Sequence, residues 1–507
     1  MLRKHAVLIL LAWTVGLFVW GFDPKVDLNG DNVAYYSLAT AMNEGRGFCQ
    51  VNEPGCPPDK HFPPGYPALL SLAMRVSADP VFLKAVNGAL LAGGVLLAWG
   101  VALRLGFPPL LALGTAMLLP ANAHLLRSAT TMMSEIPFLF WSLLLLFLLL
   151  GLPEDDRRPW RRAAFWGAVL AVAAAVYTRT AGVSLLFGAV LFLAVERKRA
   201  AAGIFALAAG LLLLPWQLRN AMVPGGDSYA DQLLMVNPYR PELGTVDAAG
   251  LLARFWENLV RYAGTEIPDG MLPFLGESAA AGWVAGIALV ALAAVGLRAL
   301  PRRRSLVGFV LLGSFGVLLL WPPVWTGPRF MLGVLPLLVA LVVQGATTLV
   351  RRFAGTDAPA WPCALAVLLL FTLGDVRAMA KADYSAPWRN YKALAEWVGA
   401  NVPKDAVVVA RKPTLFWLWS GRTTTCYRLT VDDRELMAHL DSVGAGYVVL
   451  EQLGYASTAR NLVPAMERNA ERFAPVVATR PPVTALYRLL PPRPPREAPS
   501  EAEPPRP

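Results

Sequence analysis

Long apolar segments, separated by short polar ones, occupy most of the chain. A helix that crosses a bilayer needs about 20 mostly apolar residues, and by that measure the pattern predicts about eleven spans. The predicted spans are centred near Trp13, Leu91, Met117, Leu145, Leu170, Phe187, Ala209, Ile287, Leu312, Val339 and Leu368. The pattern therefore predicts a mainly α-helical, polytopic membrane bundle.

The basic residues between the apolar segments predict which side each loop faces. Cytoplasmic loops carry an excess of Lys and Arg, and a cytoplasmic N-terminus places every basic cluster inside. The first loop, 22–80, the loop Arg219–Glu277 and everything after Asp375 are then predicted to lie on the exterior side. The clusters are Arg3 and Lys4; Arg157, Arg158, Arg161 and Arg162; Arg197, Lys198 and Arg199; Arg298, Arg302, Arg303 and Arg304; and Arg351 and Arg352.

The pattern changes after residue 376, where apolar content falls and soluble elements are predicted. Helices are expected over Tyr391–Gly399 and near Asp433–Leu440, and strands over Ala406–Ala410, Tyr447–Leu450 and Val483–Leu490. We therefore predict a transmembrane domain over 1–376, a small exterior α/β domain over 377–490 and a Pro-rich disordered tail over 491–507.

Composition agrees with a membrane protein. Of 507 residues, 56% are hydrophobic and 16% are charged, whereas soluble domains carry about 25% charged residues. The net charge, 46 − 35 = +11, sits in short Arg clusters that indicate topology rather than nucleic-acid binding. Met1–Trp20 resembles a signal peptide but has no small-x-small site after it, so we expect a retained first helix.

The first exterior loop holds two of the four cysteines, Cys49 and Cys56. In an oxidising compartment they form either a disulfide or two free thiols, and the sequence leaves both open.

Asp31 begins a predicted helix of the first exterior loop that ends at Gly45. The helix is expected to lie in the membrane interface, because its apolar residues follow i, i+3, i+4, i+7 spacing. These are Tyr35, Leu38, Ala39 and Met42. At the edge of that face, Asp31 is placed to take a proton from an incoming hydroxyl. The alternative is that Asp31 only caps the helix.

A stiff turn, His61–Pro67, is predicted to start a second interfacial helix over Ala68–Arg75, with Gly65 permitting a sharp bend. Its functional interpretation is that it holds Lys60, His61 and Tyr66 near Asp31 as substrate contacts. Its structural interpretation is that it returns the chain to the membrane.

Three motifs follow the first apolar helix in a fixed order: G-D-x-x-x-Y-Y-x-x-A, E-G-x-G-F and P-P-G-Y-P. They comprise Gly30, Asp31, Tyr35, Tyr36, Ala39, Glu44, Gly45, Gly47, Phe48 and Pro63 to Pro67. This order resembles the multi-spanning glycosyltransferases of the GT-C fold, in the bacterial branch related to protein O-mannosyltransferases and the lipid A aminoarabinose transferase. Many members carry an acidic residue directly after this Asp, where this chain has Asn32.

The resemblance implies inverting transfer of a sugar from a polyprenyl-phosphate carrier, with Asp31 at the acceptor and Tyr35 among the substrate contacts. It also implies a protein of the bacterial inner membrane whose site loops and C-terminal domain face the periplasm. In the resembled family, an acidic residue at the position of Glu135 lies across the cavity from this Asp.

Glu135 opens the fourth predicted span. A carboxylate is favourable at a helix N-terminus, which is its simplest role. Its functional role is to position the acceptor or to support a divalent cation, although no His or Cys spacing typical of a metal site accompanies it.

Four arginines map to the exterior ends of predicted spans: Arg127, Arg179, Arg219 and Arg329. A lipid-phosphate leaving group develops negative charge, which cations stabilise, and Arg can bind phosphate through two hydrogen bonds. Alternatively, each arginine reaches the lipid headgroups. Arg179 is the first candidate for the donor phosphate, because it lies between two tightly joined spans.

The function predicted from these features is glycosyl transfer from a polyprenyl-phosphate-linked donor to a lipid, glycan or protein acceptor. A polysaccharide ligase or polymerase, a lipid-linked-sugar transporter or flippase, and an envelope assembly scaffold stay open as alternatives. Charges at the exterior edge rather than at mid-membrane depth favour an enzyme. The expected partners are the donor, the acceptor and membrane lipid, with no nucleic acid.

Overall fold

The structure, a computed structural model, describes residues 2–28, 30–196, 198–224, 229–275, 279–355 and 358–492. The chain forms two compact units, one of Met1–Gln50 with Pro58–Ala382 and one of Val51–Pro57 with Asp383–Pro507. Three predicted features lie outside the described residues: Arg197, Glu277 at the end of the long exterior loop, and the tail from residue 493 onward.

The first unit is helical throughout. Its helices are α1 Leu2–Trp20, α2 Asp31–Asn43, α3 Gly65–Met74, α4 Pro80–Arg104, α5 Pro109–Met117, α6 Ala123–Ala129, α7 Glu135–Leu150, α8 Ala163–Thr178, α9 Val183–Val195, α10 Arg199–Met222, α11 Tyr229–Leu234, α12 Ala248–Arg261, α13 Ile267–Met271, α14 Ala279–Ala299, α15 Arg304–Leu320, α16 Leu335–Ala354, α17 Trp361–Leu368 and α18 Gly374–Lys381. Short 3₁₀ turns include Thr180–Gly182 and Pro328–Met331, and Tyr262–Glu266 forms a π-turn.

Every predicted span centre falls within one of these helices. Within the described residues, five helical segments are long and apolar enough to cross a membrane, namely α4, α10, α14, α16 and the run that starts at Trp361. Six further apolar helices have 10–17 residues. The protein is therefore a multi-pass membrane protein, and the predicted count of about eleven spans is not confirmed.

One predicted span is wrong as a single helix. The segment centred at Met117 breaks into α5, of nine residues, and α6. Pro120 lacks a backbone N–H, and Asn122 starts α6 by accepting a hydrogen bond from the backbone N–H of Leu125 (3.0 Å).

Glycines bring α14 and α16 into backbone contact. A Cβ on Gly296 would lie 1.9 Å from the carbonyl oxygen of Leu341, and a Cβ on Gly345 would lie 2.0 Å from that of Leu292. Small residues at such crossings allow membrane helices to approach closely. The two glycines therefore fix how these two long helices pack.

The two helices predicted for the loop 22–80 are present as α2 and α3, with two corrections. The sequence predicts one apolar face on α2, but the polar residues Asn32 and Ser37 are also buried. Helix α3 begins at Gly65, three residues before the predicted start. The φ of Gly65 is not positive, so the turn before α3 does not use the backbone freedom that the prediction assigned to this glycine. Gly65 instead permits close packing, since a Cβ there would lie 2.7 Å from the carbonyl oxygen of Tyr177.

The loop 22–80, which the sequence predicts to be exterior, contains one disulfide. Cys49 and Cys56 are disulfide-bonded, whereas Cys363 and Cys426 are free thiols. The structure thus decides between the two alternatives that the sequence leaves open for Cys49 and Cys56.

The second unit is an α/β fold with a five-stranded mixed sheet in the order β2-β1-β3-β5-β4. Strands β2, β1 and β3 are parallel, and β5 joins β3 and β4 in antiparallel pairing. The predicted helices and strands of this region are confirmed, and two further helices, Pro413–Ser420 and Val463–Arg468, and two further strands, Thr423–Thr425 and Phe473–Ala478, are additional. The elements are α19 Ala386–Asn401, β1 Val407–Val409, α20 Pro413–Ser420, β2 Thr423–Thr425, α21 Asp433–Ser442, β3 Ala445–Leu450, α22 Val463–Arg468, β4 Phe473–Ala478 and β5 Ala485–Leu489.

Candidate active site

Asp31 is the first residue of α2, and it does not cap that helix. Gly30 occupies the N-cap position with φ of +105°, and no side chain caps the helix end. The capping alternative for Asp31 is therefore wrong. Its Oδ2 lies 3.1 Å from Nη2 of Arg329, and the two side chains are 35% and 33% exposed. The carboxylate is thus paired and still reachable from solvent.

Glu135 is the first residue of α7 and is only 2% exposed. Its Oε1 lies 2.7 Å from Nη1 of Arg179 and 4.0 Å from Nε of Arg329. Arg179 Nη1 also donates a hydrogen bond to Ser134 Oγ (3.0 Å). Together with Asp31, these residues form an alternating row of two carboxylates and two guanidinium groups, Asp31–Arg329–Glu135–Arg179.

The two arginines are placed by short turns rather than by regular helix. Arg179 follows α8 in an extended conformation and precedes the 3₁₀ turn Thr180–Gly182, which leads directly into α9. The expectation that Arg179 lies between two tightly joined helices is confirmed. Arg329 lies in the 3₁₀ turn Pro328–Met331, which Gly327 starts with φ of +117°. Only glycine adopts such a φ readily.

The carboxylates of this row act on the guanidinium of Arg329. Burial lowers the pKa of its guanidinium, but the carboxylates of Glu135 and Asp31 raise it more, so the pKa of Arg329 is above its ordinary value. Neither oxygen of Glu135 accepts a hydrogen bond of good geometry from the described residues. A buried carboxylate favours such partners, so Glu135 retains capacity to accept a hydrogen bond from a ligand hydroxyl.

The two tyrosines predicted as substrate contacts are buried. Tyr35 OH is 3.0 Å from Ser134 Oγ, so it supports the residue that also binds Arg179. Tyr66 donates its hydroxyl to Asn87 Oδ1 (3.2 Å) and packs edge-to-face on Tyr35. The structure places Tyr66 in the protein core with its hydroxyl occupied, where it supports Tyr35.

Lys60 and His61 lie at a separate polar cavity of about 420 Å³. The remaining residues that line it are Pro63, Thr180, Trp216, Gln217, Asn220, Ala221, Val223 and Asp231. Thr180 directly follows Arg179 in the chain, so one wall of the cavity is continuous with the turn that carries Arg179. The cavity combines an ammonium group, an imidazole, a carboxylate, amides and an indole, a mixture suited to a hydroxylated, charged ligand.

Arg219 holds the first exterior loop in place. Its Nη1 donates to the backbone carbonyl of Asp59, its Nη2 donates to that of Phe48 (3.0 Å), and its guanidinium stacks over Trp216. Arg127 is exposed on α6, and the described residues give it no ion pair. Neither arginine joins the row of Asp31, Glu135, Arg179 and Arg329.

The site does not fit a divalent cation as a resident group. Among the described residues no three His, Cys, Asp or Glu side chains come together as a metal site. The two carboxylates of the row already face guanidinium groups, whereas Mg²⁺ and Ca²⁺ require several oxygen ligands.

Sequence reasoning does not identify Ser134 or the four cavity residues Trp216, Gln217, Asn220 and Asp231. Ser134 directly precedes Glu135 at the start of α7. Serine is favoured at this position of a helix, so the sequence could have predicted that Ser134 lies beside Glu135. The cavity residues Trp216 to Asn220 lie beside Arg219 at one helix end, and only the packing of α10 shows that they meet Lys60.

No protein-family model matches the chain, and no curated protein matches it in sequence. Solved structures do match its fold. ArnT from Cupriavidus metallidurans in the apo state aligns at TM-score 0.63 and 13% identity, over 96% of this chain and 98% of that chain. The same protein bound to undecaprenyl phosphate aligns at TM-score 0.61 and 13% identity, over 95% and 97%.

The Archaeoglobus fulgidus oligosaccharyltransferase in complex with Zn and sulfate also matches, at TM-score 0.59 and 14% identity, over 95% of this chain and 72% of that chain. These structures are glycosyltransferases of the GT-C fold. The resemblance predicted from the first exterior loop is therefore confirmed for the fold. At this level of identity, the likeness establishes the fold and leaves the reaction to be argued from the site.

Proposed function

We propose that the protein is an integral membrane glycosyltransferase that moves a sugar from a polyprenyl-phosphate-linked donor to an envelope acceptor, with inversion at the sugar carbon. The observation that carries the proposal is the row Asp31–Arg329–Glu135–Arg179. It supplies an accessible carboxylate for the acceptor and guanidinium groups for a phosphate within one cluster.

Asp31 is the acceptor carboxylate in this proposal. Only its Oδ2 is paired with Arg329, and the side chain is partly exposed. As the acceptor oxygen bonds to the sugar carbon, its proton passes to Asp31. The bond between that carbon and the phosphate oxygen breaks, and the lipid phosphate leaves with the electron pair.

Arg329 and Arg179 stabilise the negative charge that develops on the leaving phosphate. A guanidinium can give two parallel hydrogen bonds to a phosphate. Glu135 keeps the two cations in place and offers an oxygen to an acceptor hydroxyl. Lys60 and His61 bind a polar part of the donor or acceptor in the adjoining cavity.

The structural relatives support the kinds of substrate proposed here. ArnT from Cupriavidus metallidurans was solved bound to undecaprenyl phosphate. The Archaeoglobus fulgidus oligosaccharyltransferase was solved tethered with an acceptor peptide that contains the NVT sequon. By analogy with these two proteins, we propose that this chain also uses a lipid-phosphate donor and a separate acceptor. A ligase or polymerase of surface polysaccharide would use the same site chemistry with a larger glycan.

The location is part of the same proposal. We place the protein in the bacterial inner membrane, with the site loops and the domain over 377–490 on the periplasmic side. The basic clusters support this orientation. The disulfide of Cys49 and Cys56 also supports it, because disulfides persist in oxidising compartments.

The test compares envelope glycolipids and glycoproteins by mass spectrometry in cells with and without the gene. A sugar-bearing product should disappear with the gene and return with the wild-type protein. Asp31→Asn should restore about 100-fold less product or lower, since loss of a general base typically costs 10²–10⁴ in rate. The matched control is Glu44→Gln, because that carboxylate directly follows α2 and pairs with Arg46 at the surface. Full restoration of product by Asp31→Asn would reject the proposal.

A further inference from the structure

Helix α12 has its polar face turned inward. Arg254 and Asn258 are buried, whereas Leu252, Trp256 and Val260 on the other side are exposed. A helix on the surface of a water-soluble protein shows the reverse arrangement. The inward polar side chains therefore form hydrogen bonds with other parts of the protein.

The inward side chains bind the segment 318–327. Arg254 and Asn258 contact the backbone around the end of α15, Arg261 and Glu266 contact groups further along, and the segment ends where the turn of Arg329 begins. The contacts are Arg254 Nη1 to Leu320 O (3.4 Å), Asn258 Nδ2 to Leu319 O (3.0 Å) and Trp321 O (2.8 Å), Arg261 Nη1 to Pro323 O (3.0 Å), and Gly327 N to Glu266 Oε1 (3.2 Å).

The first of these contacts satisfy the end of α15. The last carbonyl groups of a helix have no partner within it, and Leu319 and Leu320 are the last two residues of α15. Arg254 also brings positive charge to this helix C-terminus, which the helix dipole favours. The segment after α15 is therefore held from its start.

The π-turn brings Glu266 onto the same face as the other three residues. At 100° per residue, an uninterrupted α-helix carries positions 254, 258, 261 and 265 on one face. The π-turn Tyr262–Glu266 contains one residue more than an α-helical turn. The residue that lies on this face is therefore Glu266 rather than Thr265. Without the π-turn, the carboxylate would point about a third of a turn away from Gly327.

Close packing fixes the π-turn itself. A Cβ on Gly286 would lie 1.8 Å from the carbonyl oxygen of Ala263, and a Cβ on Gly282 would lie 2.5 Å from that of Gly264. Glycines spaced four residues apart on α14 thus allow the backbone of the turn to rest on that helix. On its far side, Asp269 Oδ1 pairs with His124 Nε2 at 3.1 Å.

The last contact controls the turn that carries Arg329. Gly327 is the residue before the 3₁₀ turn Pro328–Met331, and its φ of +117° is one that a residue with a Cβ seldom adopts. In this conformation its N–H donates a hydrogen bond to Glu266 Oε1 (3.2 Å). Arg329, two residues on, then reaches both Asp31 and Glu135.

We infer that Glu266 is a positioning residue that fixes Gly327 and thereby holds Arg329 against Asp31 and Glu135. This inference rests on the proposed function only for its effect on glycosyl transfer. The contact between Glu266 and the turn has a consequence that is measurable without any substrate.

The experiment uses the full-length protein in lipid nanodiscs, with the variants Glu266→Ala and Glu266→Gln. Hydrogen exchange of the peptide that contains residues 327–331 reports on the turn, and product in complemented cells reports on transfer. Glu44→Gln is the control, because that carboxylate pairs at the surface with Arg46 and, within the described part of the chain, contacts none of the residues that bind the segment 318–327. Gly327→Ala perturbs the same turn without removing Glu266, since open space surrounds the new Cβ.

Glu266→Ala should raise exchange in this peptide at least 10-fold and lower product at least 10-fold. Glu266→Gln should stay within about threefold of wild type in both, because its amide oxygen accepts the same hydrogen bond. Glu44→Gln should match wild type, and Gly327→Ala should resemble Glu266→Ala. Unchanged exchange in Glu266→Ala overturns the inference, as does raised exchange with full product. If instead Asp31→Asn restores product, the proposed function fails while the exchange result stands on its own.

Discussion

Glu135→Gln removes one negative charge from between two arginines while it keeps the shape of the side chain. The carboxylate is 2% exposed and lies 2.7 Å from Arg179, which is 19% exposed. Removing one partner of a buried ion pair typically costs about 3–5 kcal/mol, because the other charge stays buried without compensation. The partial exposure of Arg179 places the expected loss near the lower end, at about 3 kcal/mol.

Asp31→Asn breaks an ion pair of similar length in a different environment. Asp31 and Arg329 are each about a third exposed, and solvent-exposed pairs contribute about 1 kcal/mol at most. We therefore expect Glu135→Gln to lower the free energy of unfolding by about 2 kcal/mol more than Asp31→Asn does. Both variants remove a carboxylate that is paired with an arginine. The difference in burial between the two carboxylates decides which variant loses more free energy of unfolding.

The assay is unfolding of the purified protein in a lipid–detergent mixture, followed by far-ultraviolet circular dichroism. The double variant Glu135→Gln/Arg179→Gln completes a mutant cycle with its two single variants. Residues in direct contact give coupling energies of about 0.5–3 kcal/mol in such cycles, and this pair should fall in the upper half of that range. Equal stability of Glu135→Gln and Asp31→Asn, or a coupling energy near zero, would refute the account of a buried ion pair.

Two further predictions test packing and chemistry elsewhere. Gly65→Ala should destabilise the protein by about 1–3 kcal/mol and reduce product, because the added Cβ would lie 2.7 Å from Tyr177 O. Gly203→Ala on α10, where nothing lies within 4 Å, should be neutral or stabilising, and equal effects of the two variants would contradict the packing argument. Burial raises the pKa of the Cys426 thiol to about 11. In a Cys363→Ser background, alkylation of Cys426 at pH 8 should therefore be about 100-fold slower than that of an ordinary thiol, and labelling at an ordinary rate would show that the thiol is not buried.

Local patterns in the sequence determine where the helices of this protein form. Apolar length places every predicted span centre within a helix, and the motif at Asp31 marks the first residue of α2. Alternation and turn residues likewise give three of the five strands of the second unit. These features depend on residues close together in the chain, so a pattern read over a short window captures them.

Such patterns predict the ends of helices and the breaks within them less reliably. The break near Pro120 depends on a few residues within an otherwise apolar run. The π-turn Tyr262–Glu266 leaves no signal in the spacing of the hydrophobic residues. Gly65 shows the same limit, because a glycine that permits a bend and a glycine that permits close packing have the same sequence. Only the neighbouring helix α8 decides between these two roles.

The sequence determined which charged residues lie at helix ends, and the tertiary structure decided which of them meet. Asp31 and Arg329 pair across 298 positions, and Arg179 joins Glu135 from another helix end. Arg219 was also a candidate for the donor phosphate, yet its guanidinium donates to backbone carbonyls of the loop 22–80. The reason is physical: hydrophobic periodicity fixes which face of a helix is buried, but the choice of neighbouring helix comes from side-chain packing over the whole bundle.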